Sequence, residues 1–159
     1  MLNAGDEVIL PEPAYVSYLP CIQMADGIPV TIPLQEKNRF KLTEEELLSA
    51  ITDKTKILIL SYPNNPTGAI MTREDLEPIA RIIRDRDLYV ISDEIYSELT
   101  YGEEGHFSIA ALPGMSERTI VINGFSKAFA MTGWRLGYAL APARINFGLH
   151  SKAIFSNSS

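Results

Sequence analysis

Short apolar runs rich in β-branched residues alternate along this chain with segments whose apolar positions recur every three or four residues. The first pattern predicts strands at residues 7–10, 28–33, 56–62, 88–92, 119–122 and 134–140, and the second predicts helices. Residues 15–24 read as a helix. Thr43-Glu44-Glu45-Glu46 forms a capping-box pattern ahead of Leu47, Leu48 and Ile51. Thr72-Arg73-Glu74-Asp75 opens another helix, in which Leu76, Ile79, Ala80 and Ile83 form one apolar stripe. Pro78 lies inside that stripe and lacks a backbone donor, so a kink or a later start is expected. Strand and helix in alternation is the pattern of an α/β fold, with a mostly parallel sheet and flanking helices.

Strand ends set the next question, because ligands of open α/β sheets bind beyond the carboxyl ends of the strands. Three polar clusters follow predicted strands. They are Asn64-Asn65-Pro66-Thr67-Gly68, Asp93-Glu94-Ile95-Tyr96, and Ser126-Lys127 with Gly133-Trp134-Arg135. Each has a plain structural explanation by itself: a good turn, a helix N-cap, a solvated charge. Gly124-Phe125-Ser126-Lys127-Ala128 also resembles a nucleophile elbow. His106 and His150 are the only bases available to it; one lies in a Gly/Glu-rich loop, the other in a tail without periodicity.

Composition removes other classes. The 159 residues carry 14 Lys+Arg and 20 Asp+Glu, a formal charge of −6, and no basic stripe of the kind that binds a phosphate backbone. No nucleic-acid partner is expected. With 46% hydrophobic and 21% charged residues the chain can build a core. Its single cysteine, Cys21, allows neither an internal disulfide nor a cysteine-based zinc site, and suits a reducing cytoplasmic compartment. No metal site is expected. Apolar runs are too short to cross a bilayer, and the N-terminus lacks a signal-peptide pattern.

Taken in order, Ser-Tyr-Pro-Asn-Asn-Pro-Thr-Gly (61–68), Ile-Ser-Asp-Glu-Ile-Tyr (91–96) and Gly-Phe-Ser-Lys-Ala-Phe-Ala-Met-Thr-Gly-Trp-Arg-Leu-Gly-Tyr (124–138) resemble the large domain of class I/II, fold-type I aminotransferases of the aspartate aminotransferase kind. The resemblance runs from about residue 3 to 144. It implies pyridoxal 5'-phosphate as cofactor, and an amino acid and a 2-oxo acid as substrates. Lys127 is then the amine that joins the cofactor aldehyde and later moves a proton at the substrate α-carbon. Asp93 faces the pyridine nitrogen, and Tyr96 and Asn65 reach the ring oxygen. Ser126 and Arg135 hold the phosphate, and Tyr15 stacks on the ring. A short helix beginning at Asp93 would set Tyr96 on a neighbouring face. Tyr18, Trp134 and Tyr138 are assigned to core or structure, Cys21 to a small buried position on a helix, and Glu103 and Glu104 to a solvated loop.

The resemblance also implies parts that this chain does not contain: a glycine-containing phosphate loop and a tyrosine before it, and after it a small domain with an arginine for the substrate carboxylate. The expectation is a fragment in which residues 1–144 form part of the cofactor-binding large domain and 145–159 a divergent, fraying tail, from relatives that form homodimers. Two alternatives remain open: a pyridoxal-phosphate β-eliminating lyase on the same scaffold, and a non-catalytic remnant that associates with a full-length relative.

Overall fold

The structure, a computed structural model, describes residues 1–102 and 105–146. Glu103, Glu104, His150 and nearly all of the expected tail therefore lie outside the described residues. Strands β1 (Glu7–Glu12), β2 (Ile28–Pro33), β3 (Thr55–Ser61), β4 (Tyr89–Asp93), β5 (Thr119–Gly124) and β6 (Gly137–Leu140) form one sheet in the order β2-β1-β3-β4-β5-β6. All neighbours pair in parallel except β5 and β6, which are antiparallel. The mostly parallel α/β sheet expected from the sequence is present.

Strand alternation sends side chains to two apolar layers. Ile9, Leu58, Leu60 and Val90 meet α2 (Glu44–Ala50) and α3 (Arg73–Asp85) on one face, where Leu47, Ile79 and Ile83 are fully buried. Val8, Leu10, Ile57 and Ile59 pack on the other face against Ile22 of α1 (Tyr18–Met24). Burying each such side chain contributes about 1.5–3 kcal/mol.

Helix starts follow local chemistry. Thr43 and Glu46 form a capping box at α2, and Thr72 and Asp75 form one at α3. Pro78 neither delays nor ends α3, which runs from Arg73 to Asp85 with the proline inside it. The box starts the helix and its buried stripe holds it, which outweighs the missing donor. Two other boundaries differ from expectation. The helix at 15–24 begins at Tyr18, and the last strand begins at Gly137 because Thr132–Trp134 form a 3-10 turn.

Burial corrects three further expectations. Trp134 is 73% exposed and Tyr138 is also exposed, since β6 is an edge strand with every residue exposed. Cys21 is exposed on α1, a helix that buries Ile22 alone. Periodicity cannot separate the buried from the open side of so short a helix. Among the described residues no helix is long and apolar enough to cross a membrane.

Candidate active site

Parallel strands put their carboxyl ends on one edge of the sheet, so the loops after β1, β3, β4 and β5 must converge there. Register fixes how closely. Ser61 at the end of β3 pairs with Asp93 at the end of β4, and Asp93 pairs with Ile122 of β5. Above these ends opens a cavity of about 320 Å³. Tyr15 from the loop after β1, Asn65 from the turn after β3, and Asp93 and Tyr96 from the end of β4 all line it. Ser126 and Lys127 come to it from the short helix α4 (Phe125–Ala128), and Arg135 from just before β6. Every site residue expected from the sequence is thus brought to one cavity.

The β3 turn is built by Asn64. Its side-chain oxygen accepts from the Thr67 N–H at 3.1 Å and the Thr67 hydroxyl at 2.8 Å, while its amide nitrogen donates to the Pro13 carbonyl at 3.1 Å. That last bond ties the turn to the loop that carries Tyr15. The two adjacent asparagines divide the work: Asn64 is buried and structural, and Asn65 lines the cavity.

Asp93 is held from two directions. One carboxylate oxygen accepts the Ile95 N–H at 3.0 Å, and the other accepts the hydroxyl of Tyr18. The first bond closes an Asx turn, so no helix starts at Asp93; Tyr96 instead precedes a 3-10 turn at Ser97–Leu99. Lys127 Nζ lies 5.4 Å from the centre of the Tyr96 ring, within cation–π range. Arg135 has left-handed backbone, φ 52°.

Tyr18 is the residue that the sequence reading missed. It is not simple core: its hydroxyl reaches Asp93 and sits 3.3 Å from Ser61 Oγ, and its ring meets Tyr15 edge-on at 5.8 Å. Burial and the Asp93 charge push its phenol above the ordinary tyrosine range, so it remains a donor. The available signal was the three-residue spacing of Tyr15 and Tyr18, though a helix starting at Tyr18 hides it. Ser61 and Thr132 also line the cavity. Among the described residues the hydrolase arrangement does not assemble, because His106 pairs with Glu94 and lines a different, smaller cavity beside Tyr62.

The donor set fits pyridoxal phosphate. A primary amine for the aldehyde, a carboxylate for the ring nitrogen, a phenol and an amide for the ring oxygen, and a guanidinium with a hydroxyl for the phosphate all face one space. An aromatic ring, Tyr15, is 48% exposed at its mouth.

Comparison with known proteins agrees. The chain is 52% identical over 144 residues to an aspartate aminotransferase of Pyrococcus abyssi, covering 91% of this chain and 37% of that protein. It is 47% identical over 159 residues to an aspartate aminotransferase of Bacillus sp. (strain YM-2), covering 99% of this chain and 41% of that one. Its structure superposes on an aromatic aminotransferase from Pyrococcus horikoshii OT3 with a TM-score of 0.89 at 52% identity, over 91% of this chain and 39% of the other. The chain therefore spans about two-fifths of the length of the curated relatives it matches. With the profile of aminotransferase class I and II matching residues 1–158, and the ordered motifs of that family converging on one cavity, the chain belongs to the class I and II aminotransferases.

Proposed function

We propose that this chain binds pyridoxal 5'-phosphate at the strand-end cavity, and that in the whole protein the site transfers an amino group from an amino acid to a 2-oxo acid. The observation that carries this reading is the meeting of the Lys127 amine, the Asp93 carboxylate and the Tyr96 phenol in one space. When bound, the cofactor supplies an aldehyde for covalent attachment and a ring that accepts electrons.

Lys127 would supply the amine that holds the cofactor aldehyde and the base that moves a proton at the substrate α-carbon. Asp93, oriented by Tyr18 and by the Ile95 N–H, would face the ring nitrogen and favour a proton there. Tyr96 and Asn65 would hydrogen-bond the ring oxygen, Ser126 and Arg135 would hold the phosphate, and Tyr15 would stack on the ring. Residues 1–144 act as part of the cofactor-binding large domain. The helix α5 (Ala143–Asn146) spans that boundary, and the family match continues beyond it to residue 158. Working in the cytoplasm is consistent with a single cysteine, and pairing of full-length relatives into homodimers would complete the site.

The test is covalent. The full chain is incubated with pyridoxal phosphate, reduced with borohydride and mapped by mass spectrometry; the expected result is a pyridoxyl group on Lys127 and no colour in Lys127→Ala. A folded chain that takes no label at Lys127 overturns the reading. Amino transfer requires a 2-oxo acid, whereas release of ammonia without one would indicate an eliminating lyase.

A further inference from the structure

The proposed chemistry leaves one buried charge unused. Glu94 follows Asp93 directly, and successive residues at a strand end point to opposite faces. Asp93 opens on the cavity, while Glu94, 5% exposed, enters the apolar layer beneath α3. An ionised carboxylate is costly there unless both of its oxygens find donors. Three donors are present. Ser92 Oγ donates to Oε1 at 2.8 Å, Ser108 Oγ to the same oxygen at 2.7 Å, and His106 Nε2 lies 2.8 Å from Oε2. A carboxylate can only accept, so Nε2 carries the proton. Burial pushes the Glu94 carboxyl up, but His106, Ser108 and Ser92 together outweigh it and hold the group below the usual glutamate range.

The main chain is held as well. The Glu94 N–H donates to the Ile122 carbonyl at 2.9 Å, extending the β4–β5 ladder by one residue, and the Ser97 N–H donates to the Glu94 carbonyl at 2.9 Å. Ser108 also caps the next turn by accepting the Ala110 N–H at 3.3 Å. Glu94 thus closes the excursion that leaves β4, carries Tyr96 past the cavity, and returns at residues 106–108. A leucine would pack in this layer without any donor. The carboxylate instead locks the segments on either side of two cavity residues.

We propose that Glu94, braced by His106 and Ser108, is a positioning residue for cofactor binding, holding Asp93 and Tyr96 in place from the far face of the sheet. This rests on the pyridoxal-phosphate reading of the cavity. None of the clamp's side chains lines the cavity; the clamp acts through the backbone of residues 93–97.

The experiment uses the full chain and reads cofactor affinity, the pH titration of the bound chromophore, and thermal stability side by side. In Glu94→Leu, which keeps the packing, affinity should fall about tenfold or more, the size of loss seen when the hydrogen-bond support behind a metal ligand is removed. The chromophore's titration midpoint should move with it. His106→Leu should act in the same direction, and His106→Gln, which retains an N–H donor, should recover part of the loss. Unchanged affinity and an unchanged midpoint in folded Glu94→Leu and His106→Leu overturn the proposal. So does an affinity that only tracks thermal stability, which would make the clamp structural alone. Failure of the unaltered chain to label at Lys127 would instead overturn the reading of the cavity itself, and this inference with it.

Discussion

The hydroxyl of Tyr18, on the first turn of α1, donates to the carboxylate of Asp93, at the end of β4, across 75 residues of sequence. The bond joins the helix on one face of the sheet to the acid that lies in the cavity floor. It leaves Asp93 with one side-chain and one backbone donor, which set the direction of its remaining lone pairs. Tyr18→Phe removes one of them without changing the packing of the ring. Pyridoxal-phosphate affinity, followed by absorbance titration, should fall about tenfold, near the low end of what a hydrogen bond to a charged group contributes.

Tyr62 is a more deeply buried phenol, with a different task. Its hydroxyl donates to the Phe40 carbonyl at 3.0 Å and accepts the Leu42 N–H at 3.1 Å, pinning the loop before α2 to the end of β3. Burial above all pushes its ionisation above the ordinary value of 10.0. A group raised in the folded state contributes its stability fully below its unfolded value and loses it as pH climbs beyond. Tyr62→Phe should therefore cost about 1–3 kcal/mol at neutral pH, and its stability should fall less steeply than that of the unaltered chain above pH 10. Denaturant melts at neutral and alkaline pH check both parts.

Acid acts through Asp75. Its carboxylate accepts the Thr72 N–H at 2.8 Å in the α3 capping box and pairs with Lys41. Burial pushes this carboxyl up, but Lys41 and Thr72 outweigh it, and the group is held below its ordinary value of 3.8. A lowered carboxyl stabilises the fold above its unfolded value and loses that contribution as pH falls through the lowered one. Asp75→Asn should cost about 1 kcal/mol at neutral pH. The gap should close below about pH 3.8, as seen by urea melts across the acid range.

Gly124 is where β5 turns into α4, directly before the helix that carries Ser126 and Lys127. Its partner across the ladder is Gly137, and a Cβ here would stand 3.0 Å from the Leu136 carbonyl oxygen and 3.1 Å from the Gly137 Cα. Both are backbone atoms and cannot swing aside. Gly124→Ala should destabilise the chain by about 1–3 kcal/mol and displace Lys127. Borohydride labelling at Lys127 should drop in yield under conditions where the variant remains folded.

Much of this is legible in the sequence. The strands at β1, β2, β4 and β5 follow local apolar runs, and the Thr43 capping box and the helix start at Thr72 lie where the sequence places them, because each depends on neighbours within four residues. The cluster at Asn65, Asp93, Ser126 and Lys127 was readable for a related reason: a parallel sheet sends all its carboxyl ends to one edge. What escaped were matters of exposure and partner. Cys21 and Ile22 are adjacent on α1, yet only Ile22 faces the sheet, and seven residues of helix give too little periodicity to choose between them. Trp134 and Tyr138 read as core or structure because they are large and apolar, but they flank or occupy an edge strand whose residues are all exposed.

By itself, the amino-acid order determined the α/β class, the starts of α2 and α3, the strand-end loops and the types of chemical group those loops carry, since all of these arise from interactions between residues close along the chain. Which groups meet was decided only by the tertiary structure. Tyr18 finds Asp93, and Glu94 finds His106 and Ser108, because sheet register and strand alternation send neighbouring side chains to opposite faces and bring distant ones together.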